Sequence, residues 1–169
     1  MHPYLLVFLI SMVPVFELRA GIPTAYYYYT HPDPETFGEI NLLLGYLLSA
    51  LGNLLPVPFI FFFARRVLEW GKDKKVIGKF FTWCLKKGEK GSQKLQAKSS
   101  NGLYVALMFF VGIPLPVTGA WTGTLAASFL NMDFKKSMLA ILGGVILASI
   151  IVGVLCLLGF SAWFGEPVV

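Results

Sequence analysis

The chain has 169 residues, 56% of them hydrophobic and 14% charged, with a mean hydropathy of +0.70. That is too apolar for an ordinary soluble domain of this length and indicates an integral membrane protein. The net charge of +5 is local: eleven of the fourteen Lys and Arg, against three acids, lie between Arg65 and Asn101, and without interleaved base-stacking motifs this argues against a nucleic-acid partner.

Tyr4 to Phe16 is apolar but carries Pro14, then runs into Glu17-Leu18-Arg19-Ala20-Gly21-Ile22-Pro23 and the aromatic run Tyr26 to Tyr29. At about 1.5 Å per residue neither Tyr4 to Phe16 nor Ile22 to Tyr29 reaches the roughly 30 Å hydrocarbon core. The pattern predicts a re-entrant hairpin with its apex near Arg19 to Pro23, and the tyrosines near an interface. The stretch before Ala20 lacks the charge pattern and small-residue site of a cleaved leader, so it is expected to be retained.

His31 to Glu39 is an acidic, Pro-rich loop suited to the extracytoplasmic side, and Ile40 to Ala64 is long enough to span. Within that span Gly45, Ser49 and Asn53 recur every four residues as a stripe for close helix contact, while Pro56 and Pro58 are expected to kink its distal end. Asn41 and Asn53 read as bonders between helices. Arg65 and Arg66 mark the cytoplasmic side. Val76, Ile77, Phe80, Phe81 and Cys84, among lysines, predict an amphipathic interfacial helix, and the sequence from Glu89 to Gly102 reads as a linker. Cys84 and Cys156 sit in such different settings that a disulfide between them is not expected.

Leu103 to Leu130 repeats the first design, with two short apolar arms around Pro114-Leu115-Pro116 and a second Gly-Ile-Pro triplet at Gly112 to Pro114. Asn131 to Lys136 returns to a basic side, and Met138 to Phe164 spans outward, with Ala140, Gly144 and Ala148 on one face and Ser149 and Gly153 on another. The expected fold is all-α and polytopic: one integral membrane domain, residues 1–169. It divides into repeat one (1–64), a basic cytoplasmic amphipathic segment (65–101) and repeat two (102–169). Each repeat is a re-entrant helical hairpin plus a transmembrane helix, and the two are inverted. Broken segments in matching places of two halves point to a binding site between them.

Charge at membrane depth costs roughly 2.5 to 3.5 kcal/mol on insertion scales, so Glu17 and Arg19 need a reason. Arg19 is the candidate to bind an anionic group, because guanidinium offers paired donors to phosphate or carboxylate and a half-helix starting near Gly21 would add N–H groups. Glu17 is the candidate to take up and release a proton. Both residues read alternatively as staples of the fold through a salt bridge with each other, but two positions apart on one helix they would not face each other, so that pairing needs broken geometry or another element. Gly21, Thr24, Thr118, Trp121 and Thr122 are further substrate-binding candidates, with Thr118 and Thr122 expected on one face. Pro23, Pro114, Pro116 and Gly119 are expected to shape the hairpins. No zinc spacing and no phosphate-cradling Gly-Lys-Thr or Gly-Lys-Ser loop occurs, so no metal, cofactor or enzymatic activity is expected.

Glu17-Leu-Arg-Ala-Gly-Ile-Pro23, Gly112-Ile-Pro-Leu-Pro-Val-Thr-Gly-Ala-Trp-Thr-Gly123 and the basic loop between them resemble the small multidrug export protein family. More distantly, the layout is similar to the DedA and SNARE-associated superfamily, whose members are implicated in moving phospholipids or polyprenyl phosphates. That superfamily carries a further Arg after its second hairpin element, and here no Arg follows Arg66. The resemblance implies a membrane transporter or flippase in the cell membrane, acting on a small anionic or lipid-phosphate substrate by alternating access and coupled to protons. An exporter of amphipathic cations, or a non-transporting lipid-organising protein, stands beside it. Membrane lipids are the expected partners, with a homodimer completing the cavity.

Overall fold

The computed structural model describes residues 2–14, 16–32, 40–71, 102–115 and 118–159. Seven α-helices lie among these: α1 (Pro3–Met12), α2 (Glu17–Thr30), α3 (Leu42–Leu54), α4 (Val57–Gly71), α5 (Gly102–Gly112), α6 (Ala120–Phe129) and α7 (Phe134–Leu157), with no strand among the described residues. The expected interfacial helix at Val76 to Cys84 and the linker to Gly102 fall almost wholly outside the described residues.

Prolines set the breaks. Val13 stands before Pro14, which disfavours the helical region for the preceding residue, and Val13 is accordingly extended at φ −75° and ψ 130°. α1 stops there and α2 begins at Glu17. The first apex therefore lies between α1 and α2, six to seven residues before the Arg19 to Pro23 expected from the sequence. Gly21-Ile22-Pro23 sits inside α2, where Pro23 removes the N–H that the Arg19 carbonyl would otherwise accept from. The second break falls where expected: Ile113 to Gly119 separates α5 from α6, with tight turns from Leu115 N–H to the Ile113 carbonyl (2.8 Å) and Thr118 N–H to the Leu115 carbonyl (3.2 Å). Pro56 and Pro58 divide α3 from α4, because neither has an N–H to offer the carbonyls of Gly52 and Leu54.

Two helical stretches are long and apolar enough to cross a membrane: Leu42–Val67, which contains the Pro56 break, and the uninterrupted Phe134–Leu157. Their outward faces carry Leu43, Leu47, Leu51, Phe59, Phe62 and Phe63 on one, and Leu139, Ile146, Ile150 and Leu157 on the other, all exposed. An apolar exterior of this extent fits a lipid surround.

Several contacts occur in both halves. Tyr4 on α1 accepts from the N–H of Asn41, and Tyr104 on α5 accepts from the N–H of Asp133 (2.6 and 3.3 Å). Asn41 and Asp133 each cap the helix that follows, accepting from Leu44 and Lys136. Gly52 lies against the Phe8 carbonyl as Gly144 lies against the Met108 carbonyl, so close that a methyl group at either position would overlap backbone. The stripe read from the sequence is real: Gly45, Ser49 and Asn53 are all buried, Gly45 against Ala25 and Ser49 against Gly21. Leu18 and Ile22 of α2 join Val57, Phe61, Leu107, Val111, Ile141 and Val145 in one core shared by both halves. α6 ends in Asn131 at φ 53°, where the N–H of Asn131 donates to the Ser128 carbonyl and that of Met132 to the Ala127 carbonyl, a Schellman termination.

Candidate functional site

The two breaks meet. Glu17 opens α2 at φ 50°, a backbone conformation uncommon for a residue with a side chain, and the residue is 5% exposed. Its Oε2 accepts from the Ala120 N–H (3.2 Å) and its Oε1 from the Trp121 N–H (3.0 Å). These are the first two N–H groups of α6, which no intrahelical carbonyl can satisfy. The residue before them, Gly119, has no side chain to cap with, so the cap comes from the other hairpin. Gly119 is also at φ 152°, and a methyl group on it would collide with the Glu17 carboxylate. A negative charge at a helix N-terminus is favoured by the peptide dipoles, which answers the cost of burying Glu17.

Arg19, one half-turn on, reaches the same linker. Its Nη2 donates to the Thr118 carbonyl and, at 3.1 Å, to the Thr118 hydroxyl. That hydroxyl shares its own proton between the carbonyls of Ile113 and Leu115, each at 2.9 Å, so Thr118 ties the linker together and presents it to Arg19. Glu17 and Arg19 thus bond across the junction to the second hairpin. Both charged residues singled out from the sequence take part in this junction.

Beside it lies a pocket of about 160 Å³ lined by Arg19, Pro23, Pro114, Val152, Leu155 and Cys156. Arg19 is its one charged side chain. Its remaining wall is apolar, and three of its residues come from the end of α7, a helix the sequence reading treated only as a span. Val152, Leu155 and Cys156 fall at i, i+3 and i+4, which places them on one helix face; what the sequence did not supply was that this face meets Arg19. Cys156 is buried as a free thiol.

The other expected site residues divide. Pro23 and Pro114 line the pocket. Trp121 contributes its backbone N–H, while its indole Nε1 is buried without a partner. Gly21 serves packing, because a side chain there would overlap the Ser11 and Ser49 hydroxyls, which bond each other at 2.9 Å. Thr24 bonds back to the Ala20 carbonyl (2.7 Å) and Thr122 to the Gly119 carbonyl (3.4 Å), each within its own helix turn. Thr118 precedes α6 and Thr122 lies inside it, so the two do not share a helix face. Pro116 is outside the described residues. Among the described residues no group of three or more His, Cys, Asp or Glu is placed to hold a metal ion.

A family model described as "Putative small multi-drug export protein" matches residues 17–151, which begins at the junction carboxylate and ends in α7. The chain belongs to this family. No curated protein and no solved structure matches it. Membership and the apolar helices together make this export-family chain a membrane protein whose family name points to transport.

Proposed function

We propose that this protein is a transporter that moves a small anionic or lipid-phosphate substrate by alternating access between its two hairpins. The observation that carries the reading is the division of labour at the junction. The Glu17 carboxylate is spent on the N-terminus of α6, whereas Arg19, bonded through one nitrogen to Thr118, also lines an apolar pocket. A fixed cation beside apolar walls suits an anionic head with an apolar remainder. Protonation of Glu17 would take away the charge that favours its two helix N–H bonds, so proton uptake would loosen the hairpins from each other and couple the proton to access. In this reading the halves are inverted repeats dipping in from opposite faces of the cell membrane, residues 65–101 are cytoplasmic, and a homodimer closes the cavity. The repeated Tyr, cap and Gly contacts of the two halves support a common origin for them.

The family's description favours a second reading, export of amphipathic cations. It would require Glu17 to leave α6 and face the substrate. Liposomes containing the purified protein separate the two: a polyprenyl phosphate, an anionic phospholipid and a cationic dye are each followed with and without a pH gradient, in wild type, Glu17→Gln and Arg19→Ala. Movement of a phosphate lipid, abolished in Arg19→Ala and losing its pH dependence in Glu17→Gln, is the expected result. Movement of the dye alone selects the exporter. No movement of any of them favours a structural, lipid-organising role.

A further inference from the structure

Asn53 is fully buried, and neither its Nδ2 nor its Oδ1 has a hydrogen-bond partner from the protein. A buried amide in a native fold almost always finds partners, and one without them asks for a ligand or a bound water. Its position follows from the register of α3 on α2. Along α3, Gly45 packs on Ala25 and Ser49 on Gly21, so α3 and α2 run antiparallel and the next turn sets Asn53 opposite Glu17. This register places the amide beside the start of α2, at the meeting of the two breaks. Trp121, whose indole N–H is likewise buried without a partner, stands at the same helix start.

We propose that Asn53 anchors a buried water at this junction and that the water is the proton path to Glu17. Water fits the orphaned pair where a cation does not. It accepts from Nδ2 or the indole N–H and donates to Oδ1 or a carboxylate, whereas a cation would satisfy Oδ1 and repel the Nδ2 hydrogens. In the transfer, the water gives one proton to a Glu17 oxygen and takes one from a hydronium on the wet side, which is left as water. The pocket beside Arg19 supplies the wet side. Arg19 is the charged neighbour of Glu17 on its own helix. Tyr46 on α3, Cys156 on α7 and Tyr26 further along α2 are the other titratable groups toward the middle of the packed elements, while Arg65 and Arg66 of α4 and Lys135 and Lys136 of α7 lie two turns or more away along their helices. α1 and α5 carry only Tyr4 and Tyr104, held at Asn41 and Asp133, and α6 carries none. The hydration site stands on the orphaned amide; its role as a proton path rests on the coupling reading above.

Hydroxyl-radical footprinting of the reconstituted full chain reads the water directly, because radicals formed from a bound water label side chains that bulk solvent does not reach. Leu18, 2% exposed on the buried face of α2, is the reporter. Label at Leu18 in wild type, kept in Asn53→Ser and reduced at least several-fold in Asn53→Leu, is expected. An unlabelled Leu18 in wild type overturns the site whether or not any variant folds, and so does undiminished label in a folded Asn53→Leu. Transport in the same liposomes tests the path: Asn53→Leu is expected to lose most of the pH response and Asn53→Ser to retain it. An Asn53→Leu protein with the wild-type pH response overturns the path. A wild type whose transport ignores pH removes the coupling reading and the path together, and the footprint still decides the hydration site.

Discussion

The two chain breaks at the centre of the molecule are made of opposite materials. The first, Val13 to Phe16, delivers side-chain charge: Glu17 and Arg19 follow it immediately, at the start of α2. The second, Ile113 to Gly119, carries no ionisable side chain and delivers backbone, the N–H groups of Ala120 and Trp121 and the carbonyl of Thr118. Each is costly alone, since an unpaired charge and an unpaired peptide group are both penalised away from water. Together they satisfy each other. The lesson is that charge in an apolar segment need not seek opposite charge: a broken helix elsewhere in the chain offers the same field through its exposed peptide groups.

The largest expected effect comes from forcing the two materials apart. Gly119→Ala places a methyl group where the Glu17 carboxylate sits and demands φ 152° of a side-chain residue. It is expected to cost roughly 3 kcal/mol or more and to leave little folded protein by thermal unfolding in detergent. Next come the glycines that hold each hairpin to its long helix. Gly52→Ala and Gly144→Ala each push a methyl group into backbone, at Phe8 and Met108. Overpacking of this kind costs about 1–3 kcal/mol, and similar losses in the two variants, read as similar drops in melting temperature, would show the halves to be mechanically alike. A large asymmetry would break that likeness.

Glu17→Gln keeps the shape but sets an amide NH₂ toward one of two N–H donors, so one hydrogen bond is lost and two donors oppose. A loss of about 1–3 kcal/mol is expected, with α6 fraying first by hydrogen exchange at Ala120 and Trp121. An unchanged exchange rate there would mean that the carboxylate is not the cap. The smallest effect is expected from Thr118→Val, which removes the hydroxyl while leaving the carbonyl to Arg19. Roughly 1 kcal/mol or less should be lost, read as a small drop in melting temperature.

Much of this was legible in the chain. Prolines at 14, 56, 58 and 114 cut helices because a missing N–H and a crowded preceding residue act locally, and the Gly45, Ser49 and Asn53 stripe was readable because helical periodicity is local too. The matching of the two Gly-Ile-Pro triplets misled: the second ends a helix, whereas the first is absorbed within α2, because Glu17 starts the helix early and Pro23 falls where one missing bond is tolerable. The apex thus moved to Val13 to Phe16.

By itself, then, the sequence determined that this is an apolar, all-helical membrane chain with two interrupted segments, a basic middle, and one carboxylate and one guanidinium that require partners. Those properties follow from composition and from contacts within a turn or two. Tertiary structure alone decided who the partners are. Glu17 and Ala120 are 103 positions apart, and Val152, Leu155 and Cys156 reach Arg19 from the last helix. No spacing rule links such positions, since backbone N–H groups are the same at every residue and become a charge-binding site only where folding leaves a helix end bare beside a carboxylate.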